Sequence, residues 1–245
     1  KGNKTKELAR LPDNQKKKAP ESESYELNAA TVVNLFEDLE YNLSKVRDDK
    51  KIQPIYFTKL PKDINSIKSS KTKKEFFIQI VLPLIVSENE RIFEDRKNLI
   101  KILSKKMTTD EEKSWLRKKL REYKVKNADM KELTKKMDII PVSIALAQAA
   151  KESGWGTSRF ALEGNAIFGQ WTWNGKGIKP LDTTKDQTHS ILKFPILRAS
   201  VKAYITNLNT HNGYKNFREK RSKLRKIKKQ LKGLDLIHEL DNYAQ

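Results

Sequence analysis

The sequence predicts a mainly α-helical protein of the α+β class, with one small β-hairpin. Apolar residues recur at helical spacing along most of the chain, whereas a strand-like pattern is confined to the segment 183–194. The 245 residues suffice for one sizeable core, or for a core domain with an appendage. The chain has no cysteine, which excludes a disulfide scaffold and any thiolate metal site.

The N-terminal part of the chain has the pattern of a tail followed by helices. Residues 1–24 are polar and Lys-rich, which is typical of a disordered segment. From Asn28 onward, apolar residues at helical spacing predict one amphipathic helix. Its apolar residues are Val32, Leu35, Leu39, Leu43 and Val46. A long helical stretch is predicted over residues 72–106, with Pro83 either kinking it or dividing it in two.

Two shorter helices complete an N-terminal helical region, which we place at residues 25–137. The segment Thr109-Asp-Glu-Glu112 has the form of a capping box, which predicts the start of a helix. A further short helix is predicted over residues 127–137. The region contains no clustered His, no Gly-rich phosphate loop and no nucleophile elbow, so we expect no catalytic chemistry from it.

The character of the sequence changes at residue 138, where we place the start of a second domain (residues 138–245). An apolar helix is predicted over residues 139–154, with Pro141 suited to its first turn and Gly154 to its C-terminal cap. The predicted hairpin is followed by a helix from Pro195 and by a last, basic helix. The apolar face of that last helix consists of Tyr214, Phe217, Leu224, Ile227 and Leu231.

The net charge of +20 predicts an anionic partner. Most of the 51 basic residues are Lys, whereas proteins that recognise bases or phosphates favour the bidentate fork of Arg. We therefore expect no specific nucleic-acid recognition. The basic segment 215–232 has two interpretations. It is either an ordinary solvated helix face or a surface attracted to anionic wall polymers or phospholipid headgroups.

Glu152 is the candidate for acid–base chemistry. It shares a helical face with Ala145, Gln148 and Ala149, which together form small and largely apolar surroundings. Such surroundings partly desolvate a carboxyl group, and the last turn of a helix disfavours a negative charge. Both effects favour the protonated form that a general acid requires. The alternative interpretation is an exposed Glu at a helix end.

Two linked motifs resemble a known family. Glu152-Ser-Gly-Trp-Gly-Thr-Ser, followed by Gly164-Asn-Ala-Ile-Phe-Gly-Gln170, is similar to the signature of the bacterial Bax-type and flagellar-type glucosaminidases of the lysozyme-like superfamily. The similarity covers about residues 27–245. It implies a lysozyme-like catalytic domain over residues 138–245 that hydrolyses the β-1,4 bond after N-acetylglucosamine in peptidoglycan. The same resemblance implies that Glu152 is the general acid.

The second catalytic group is not fixed by these motifs. Relatives in the family often carry a second acidic residue on a flexible β-hairpin, and the corresponding region here offers Asp182 and Asp186. A general base would stand farther from Glu152 than a nucleophile, because a water molecule must fit between them. The acetamido group of the substrate could assist instead, in which case no second carboxylate is needed.

Several other residues are candidates for substrate binding. Trp155, Trp171 and Trp173 could stack on sugar rings, and Trp155 could equally pack in the core. Phe168 has the same two interpretations, and so has Tyr204, although the family places a Tyr in its cleft. Asn165 and Gln170 are the candidates for polar contacts with acetamido or hydroxyl groups. His189, His211 and His238 are too widely spaced for a metal site, so we expect neither a metal nor another cofactor.

The expected protein is thus a monomeric, periplasmic or cell-envelope hydrolase that acts on peptidoglycan glycan strands. Two rival functions remain open. A lytic transglycosylase shares the Glu-Ser pair but forms an anhydro-sugar end without water. A non-catalytic wall-binding module would keep the fold and lose the reaction.

Overall fold

The structure, a computed structural model, describes residues 27–172, 177–178, 190–227 and 230–240. Within these ranges the chain is mainly helical and has one small antiparallel sheet, which confirms the predicted class. The predicted tail, residues 1–24, lies outside the described residues. The division of the chain near residue 138 stays a prediction.

The described elements are named in chain order. The N-terminal helices are α1 (Ala29–Asp38), α2 (Leu43–Asp49), α3 (Ser70–Leu103), α4 (Asp110–Glu122) and α5 (Met130–Lys136). The later helices are α6 (Val142–Ser153), α7 (Arg159–Gly164), α8 (Leu197–Thr210) and α9 (Lys215–Lys226). The strands are β1 (Trp171–Thr172), β2 (Gly177–Ile178) and β3 (Ser190–Leu192). Short 3-10 turns lie at Ile64–Ser66, Asn212–Tyr214, Gly233–Asp235 and Ile237–Leu240.

The prediction of one helix from Asn28 to Val46 is wrong, because the helix is interrupted between α1 and α2. Asn42 takes an extended conformation, and its side chain accepts a hydrogen bond from the backbone N–H of Lys45, which starts a new helix. Leu39 is consequently 42% exposed instead of facing the core. The break turns Tyr41 inward, where it is 2% exposed.

Pro83 neither divides α3 nor leaves its backbone unpaired. The helix runs for 34 residues, although Pro83 lacks the N–H that would bond the carbonyl of Gln79 four residues earlier. The hydroxyl of Tyr41 donates to that carbonyl at 3.2 Å, and the Gln79 amide donates to the Tyr41 carbonyl at 2.6 Å. Burial raises the pKa of Tyr41 to about 12, so the hydroxyl remains a donor at neutral pH. Tyr41 thus replaces the backbone donor that Pro83 removes.

Because the Tyr41 hydroxyl replaces the missing N–H of Pro83, the effect on stability of substituting Tyr41 should depend on the residue at position 83. Tyr41→Phe leaves the Gln79 carbonyl without its donor, and we expect it to lower the free energy of unfolding by about 1–3 kcal/mol in urea titrations. In a Pro83→Ala background the N–H of residue 83 can donate to the Gln79 carbonyl. Tyr41→Phe should then lower the free energy of unfolding clearly less. An equal cost in both backgrounds would contradict the proposed replacement.

Two further boundaries differ from prediction. The helix predicted over 127–137 begins only at Met130, because Asn127 and Ala128 have φ of 56° and 50° and Asp129 caps the helix. Pro141 lies at the N-cap of α6 rather than in its first turn. The capping box of α4 is confirmed, since Thr109 and Glu112 exchange both hydrogen bonds. Gly154 is confirmed as the left-handed C-cap of α6.

The sheet has strand order β1-β3-β2, with antiparallel pairing throughout. Ile191 in β3 pairs with Trp171 on one side and with Ile178 on the other. The hairpin predicted over 183–194 is therefore represented in the described residues by β3 alone. The two partners of β3, strands β1 and β2, lie earlier in the chain.

Helix α3 lies at the centre of the molecule and packs against both α6 and α8. The main apolar cluster includes Phe77 and Ile80 of α3, Ala145 and Ala149 of α6, and Tyr204 of α8. The helix that carries Glu152 is thus supported by the N-terminal half of the chain. No helix in the described ranges is both long and apolar enough to cross a membrane.

The basic helix α9 is shorter and less solvated than predicted. It ends at Lys226, and Ile227 is 71% exposed, so the predicted apolar stripe stops before that residue. Phe217 is buried as expected. Arg218 and Arg221 are also buried, because their guanidinium groups bond backbone carbonyls of other segments. Part of the positive charge of this segment therefore serves packing and does not face solvent.

Candidate functional site

Glu152 lies in the last turn of α6 and is half-buried. Ala145 and Ala149, which share its helical face, are fully buried and anchor this helix in the core. Opposite the carboxylate lies Gly169, which has φ of 57°. A Cβ added to Gly169 would stand 3.3 Å from Glu152 Oε2. The structure therefore brings the two motifs together, and glycine is required where the second motif approaches the acid.

Ser153, the neighbour of Glu152, has a structural role that the sequence analysis missed. Its side chain is fully buried, and its hydroxyl donates to the Ala149 carbonyl at 2.6 Å. The same oxygen accepts a hydrogen bond from the backbone N–H of Gly156 at 2.9 Å. Ser153 thus joins the last turn of α6 to the following loop. The signal in the sequence was a hydroxyl residue placed just before a Gly-Trp-Gly turn.

Trp155 packs against the long helix α3. Its backbone has φ of 59°, and its ring meets Phe77 edge-on with centroids 6.1 Å apart. The ammonium group of Lys74 lies 5.1 Å from the indole centroid, which is within the range of a cation–π contact. The side chain is half-buried. Of its two interpretations, packing is observed, and sugar stacking stays a prediction.

Phe168 and Tyr204 form a stacked pair beneath the site. Their ring centroids are 3.9 Å apart, with planes inclined by 8°, and both side chains are buried. The hydroxyl of Tyr204 donates to Oε1 of Gln148, which lies one turn before Glu152 on the same helix face. Tyr204 is therefore tied to the helix of the acid. A direct contact of either ring with substrate stays a prediction.

Asn165 and Gln170 flank the turn that approaches Glu152. Asn165 has φ of 52°, and its amide donates to the Phe194 carbonyl at 3.0 Å, which fixes the turn to the segment after β3. The backbone carbonyl of Gln170 accepts from the N–H of Leu192 at 2.8 Å. Within the described part of the chain, the buried oxygens Asn165 Oδ1 and Gln170 Oε1 accept no hydrogen bond. Their role as substrate ligands stays a prediction.

The remaining predicted site residues are not in the described set. Asp182, Asp186 and Trp173 lie outside the described residues, as does His189, for which no site role was predicted. Trp171 contributes its backbone to β1, and its side chain is outside the described part as well. No group of three or more His, Cys, Asp or Glu in the described ranges could hold a metal ion.

Comparison with known proteins gives two matches. The family model described as "Glucosaminidase: Mannosyl-glycoprotein endo-beta-N-acetylglucosaminidase" matches residues 127–244, which include Glu152, the turn at Gly169 and Tyr204. "Protein bax" of Escherichia coli (strain K12) is 33% identical over 188 residues, which is 74% of this chain and 67% of that protein. No solved structure matches the chain.

Proposed function

Because the chain belongs to the Bax-type glucosaminidase family, we propose that it hydrolyses the β-1,4 bond after N-acetylglucosamine in peptidoglycan glycan strands. Glu152 is the proposed general acid. The observation that carries this proposal is the half-buried carboxylate at the end of α6, which lies directly against Gly169 of the second family motif. Membership of this family supports a glycosidase that acts on peptidoglycan.

In the proposed reaction, Glu152 delivers its proton to the glycosidic oxygen while the bond from that oxygen to the anomeric carbon breaks. Positive charge develops on the sugar ring as the leaving strand departs with the new hydroxyl group. A water molecule then supplies its oxygen to the anomeric carbon and loses a proton to a base. Asp182 or Asp186 is the proposed base, and assistance by the substrate acetamido group is the alternative.

The surroundings of Glu152 fix the part of the α6 backbone that carries its carboxylate. Its helix is anchored by buried alanines, and Ser153 joins the helix to the following turn. The Tyr204–Gln148 hydrogen bond secures the preceding turn of the same helix face. A positioned acid is more effective than a mobile one because the reacting geometry is already formed. The proposed substrate contacts are Trp155, Asn165, Phe168, Gln170, Trp171 and Tyr204.

The substrate implies a location in the cell envelope or periplasm, which we propose for this protein. Its net charge of +20 would favour association with anionic wall polymers or headgroups, and such attraction is screened by salt. The proposed reaction needs no metal or other cofactor, because proton transfer and attack by water suffice.

Mass spectrometry of peptidoglycan digested with the whole chain tests this function. We expect new reducing N-acetylglucosamine ends that incorporate oxygen from ¹⁸O-labelled water. Anhydromuramic ends without label would identify a lytic transglycosylase and overturn the hydrolase proposal. Sacculi that bind the protein and stay uncleaved would identify a non-catalytic wall-binding module.

A further inference from the structure

The C-terminal half of α3 carries an exposed apolar stripe. Phe93, Ile100 and Leu103 are 41%, 52% and 44% exposed, and Met107, just beyond the helix end, is 85% exposed. Spacings of seven, three and four residues place these positions on one helical face. Their neighbours Ile92, Leu99 and Ile102 are buried, so the helix presents a second apolar face to solvent besides the one that it presents to the core.

Charged residues beside this α3 stripe change sign along the helix. Glu90 and Glu94 lie toward the N-terminal end of the stripe, and Lys97, Lys101 and Lys105 lie toward its C-terminal end. Within the chain, Lys97 pairs with Glu94 at 2.7 Å and Lys105 pairs with Glu112. Among the described residues Lys101 makes no ion pair. A helix face that is acidic at one end and basic at the other is complementary to an antiparallel copy of itself.

We propose that two copies of this chain associate through the α3 stripe as an antiparallel, two-fold symmetric pair. With the symmetry axis beside Lys97 and Asn98, Phe93 of each copy lies between Ile100 and Leu103 of the other. The same register sets Glu94 opposite Lys101 and Glu90 opposite Lys105. Apolar and charged contacts are thus satisfied by one register, as an isologous interface requires.

The mixture of charges favours a second copy over a lipid surface as the occupant. An anionic membrane attracts a face of one sign, whereas this face is acidic at one end and basic at the other, and two of its lysines are already paired within the chain. The stripe comprises only a few side chains, so the interface lies at the small end of the range for specific complexes. We therefore expect a weak pair that forms as concentration rises, in contrast to the monomer expected from the sequence.

Sedimentation equilibrium of the whole chain over a wide concentration range tests this proposal. The weight-average mass should rise from 28.4 kDa toward twice that value. Ile100→Asp should weaken association by at least about tenfold, because it buries a charge in the interface. The matched control is Leu234→Asp, which introduces the same charge at a side chain that is 85% exposed and lies outside the stripe. It should leave association unchanged.

A charge exchange tests the register itself. Glu94→Lys and Lys101→Glu should each weaken association, because each places like charges opposite one another. The double substitution restores opposite charges across the axis and should recover association. Circular dichroism and thermal unfolding establish that each variant is folded.

Three results would overturn the proposal. The first is a mass that stays monomeric at every concentration. The second is equal strength of association for Ile100→Asp and Leu234→Asp, which would place the interface elsewhere. The third is binding of the monomer to vesicles of phosphatidylcholine with phosphatidylglycerol that is lost in Ile100→Asp, which would assign the stripe to a membrane. None of these measurements depends on glycosidase activity, so the proposed function can fail or hold separately.

Discussion

Glu152→Gln is expected to lower the rate of peptidoglycan cleavage by about a hundred- to ten-thousand-fold. Glutamine has nearly the shape of the protonated acid, so the packing against Gly169 should persist. Its amide cannot transfer a proton to the glycosidic oxygen, and the leaving strand must then depart without protonation. The measurement is the rate of reducing-end release from purified sacculi, supported by zymogram clearing.

A neighbouring carboxylate provides the control. Glu163 lies in α7, and its side chain is 58% exposed. Glu163→Gln makes the same chemical change outside the site, so activity should stay near that of the unmodified chain. Sacculus binding by Glu152→Gln should persist, because the substitution leaves the proposed sugar contacts in place. Undiminished cleavage by Glu152→Gln would mean that another group protonates the leaving oxygen.

The parts of the fold that the sequence predicted are those governed by neighbouring residues. The capping box at Thr109 and the left-handed cap at Gly154 each depend on interactions within a few positions, so their sequence patterns are sufficient. The break after α1 was missed because apolar spacing continues across it. The backbone turns at Glu40, which has φ of 49°, and the turn is accompanied by the pairing of Tyr41 with Gln79, which lies 38 residues away in the chain.

The candidate site likewise has features that the local sequence predicted and contacts that it did not. The position of Glu152 on α6 followed from local spacing, whereas its role followed from the family motif. The contact with Gly169, the bond from Tyr204 to Gln148 and the packing of Trp155 on Phe77 join segments far apart in sequence. Pairings of this kind arise only when tertiary packing sets the distance between helices. The catalytic partner stays a prediction, because both candidates lie outside the described residues.

Tertiary charge pairing also anchors the segment that leads into α6. Asp138, at the junction between α5 and α6, is 2% exposed. Arg225 of α9 donates to its two carboxylate oxygens at 3.1 and 2.8 Å. Arg221 and Arg96 lie 3.9 and 3.8 Å from the same carboxylate. One buried acid therefore connects α3 and α9 to the segment that leads into α6.

The protonation states of this cluster follow from its surroundings. Burial lowers the pKa of Arg221 to about 10, so its guanidinium group stays charged at neutral pH. Burial alone would raise the pKa of Asp138, but Arg221, Arg225 and Arg96 outweigh it and lower that pKa below its ordinary value. The stability that Asp138 contributes is therefore present above the unfolded-state pKa of about 4 and is lost as pH falls through the lower folded-state value.

Asp138→Asn is accordingly expected to lower the free energy of unfolding by about 3–5 kcal/mol at neutral pH. The substitution leaves three guanidinium groups close together, with Arg221 fully buried and without an opposing charge among the described residues. Urea titration measures the loss, and Asp110→Asn is the control. Asp110 pairs with Lys113, and the Asp110 side chain is 91% exposed. Loss of this ion pair should therefore lower the free energy of unfolding by less than about 1 kcal/mol.

The acid dependence provides a second, independent readout of the same interaction. The unmodified chain should lose stability as pH falls below about 4, and part of that loss should be missing in Asp138→Asn, which has no carboxyl group to protonate. Because Asp138 connects α9 to the start of α6, the variant should also lose cleavage activity at lower temperatures than the control does. Equal unfolding free energies for the two variants would show that the arginines are stabilised by the backbone carbonyls alone.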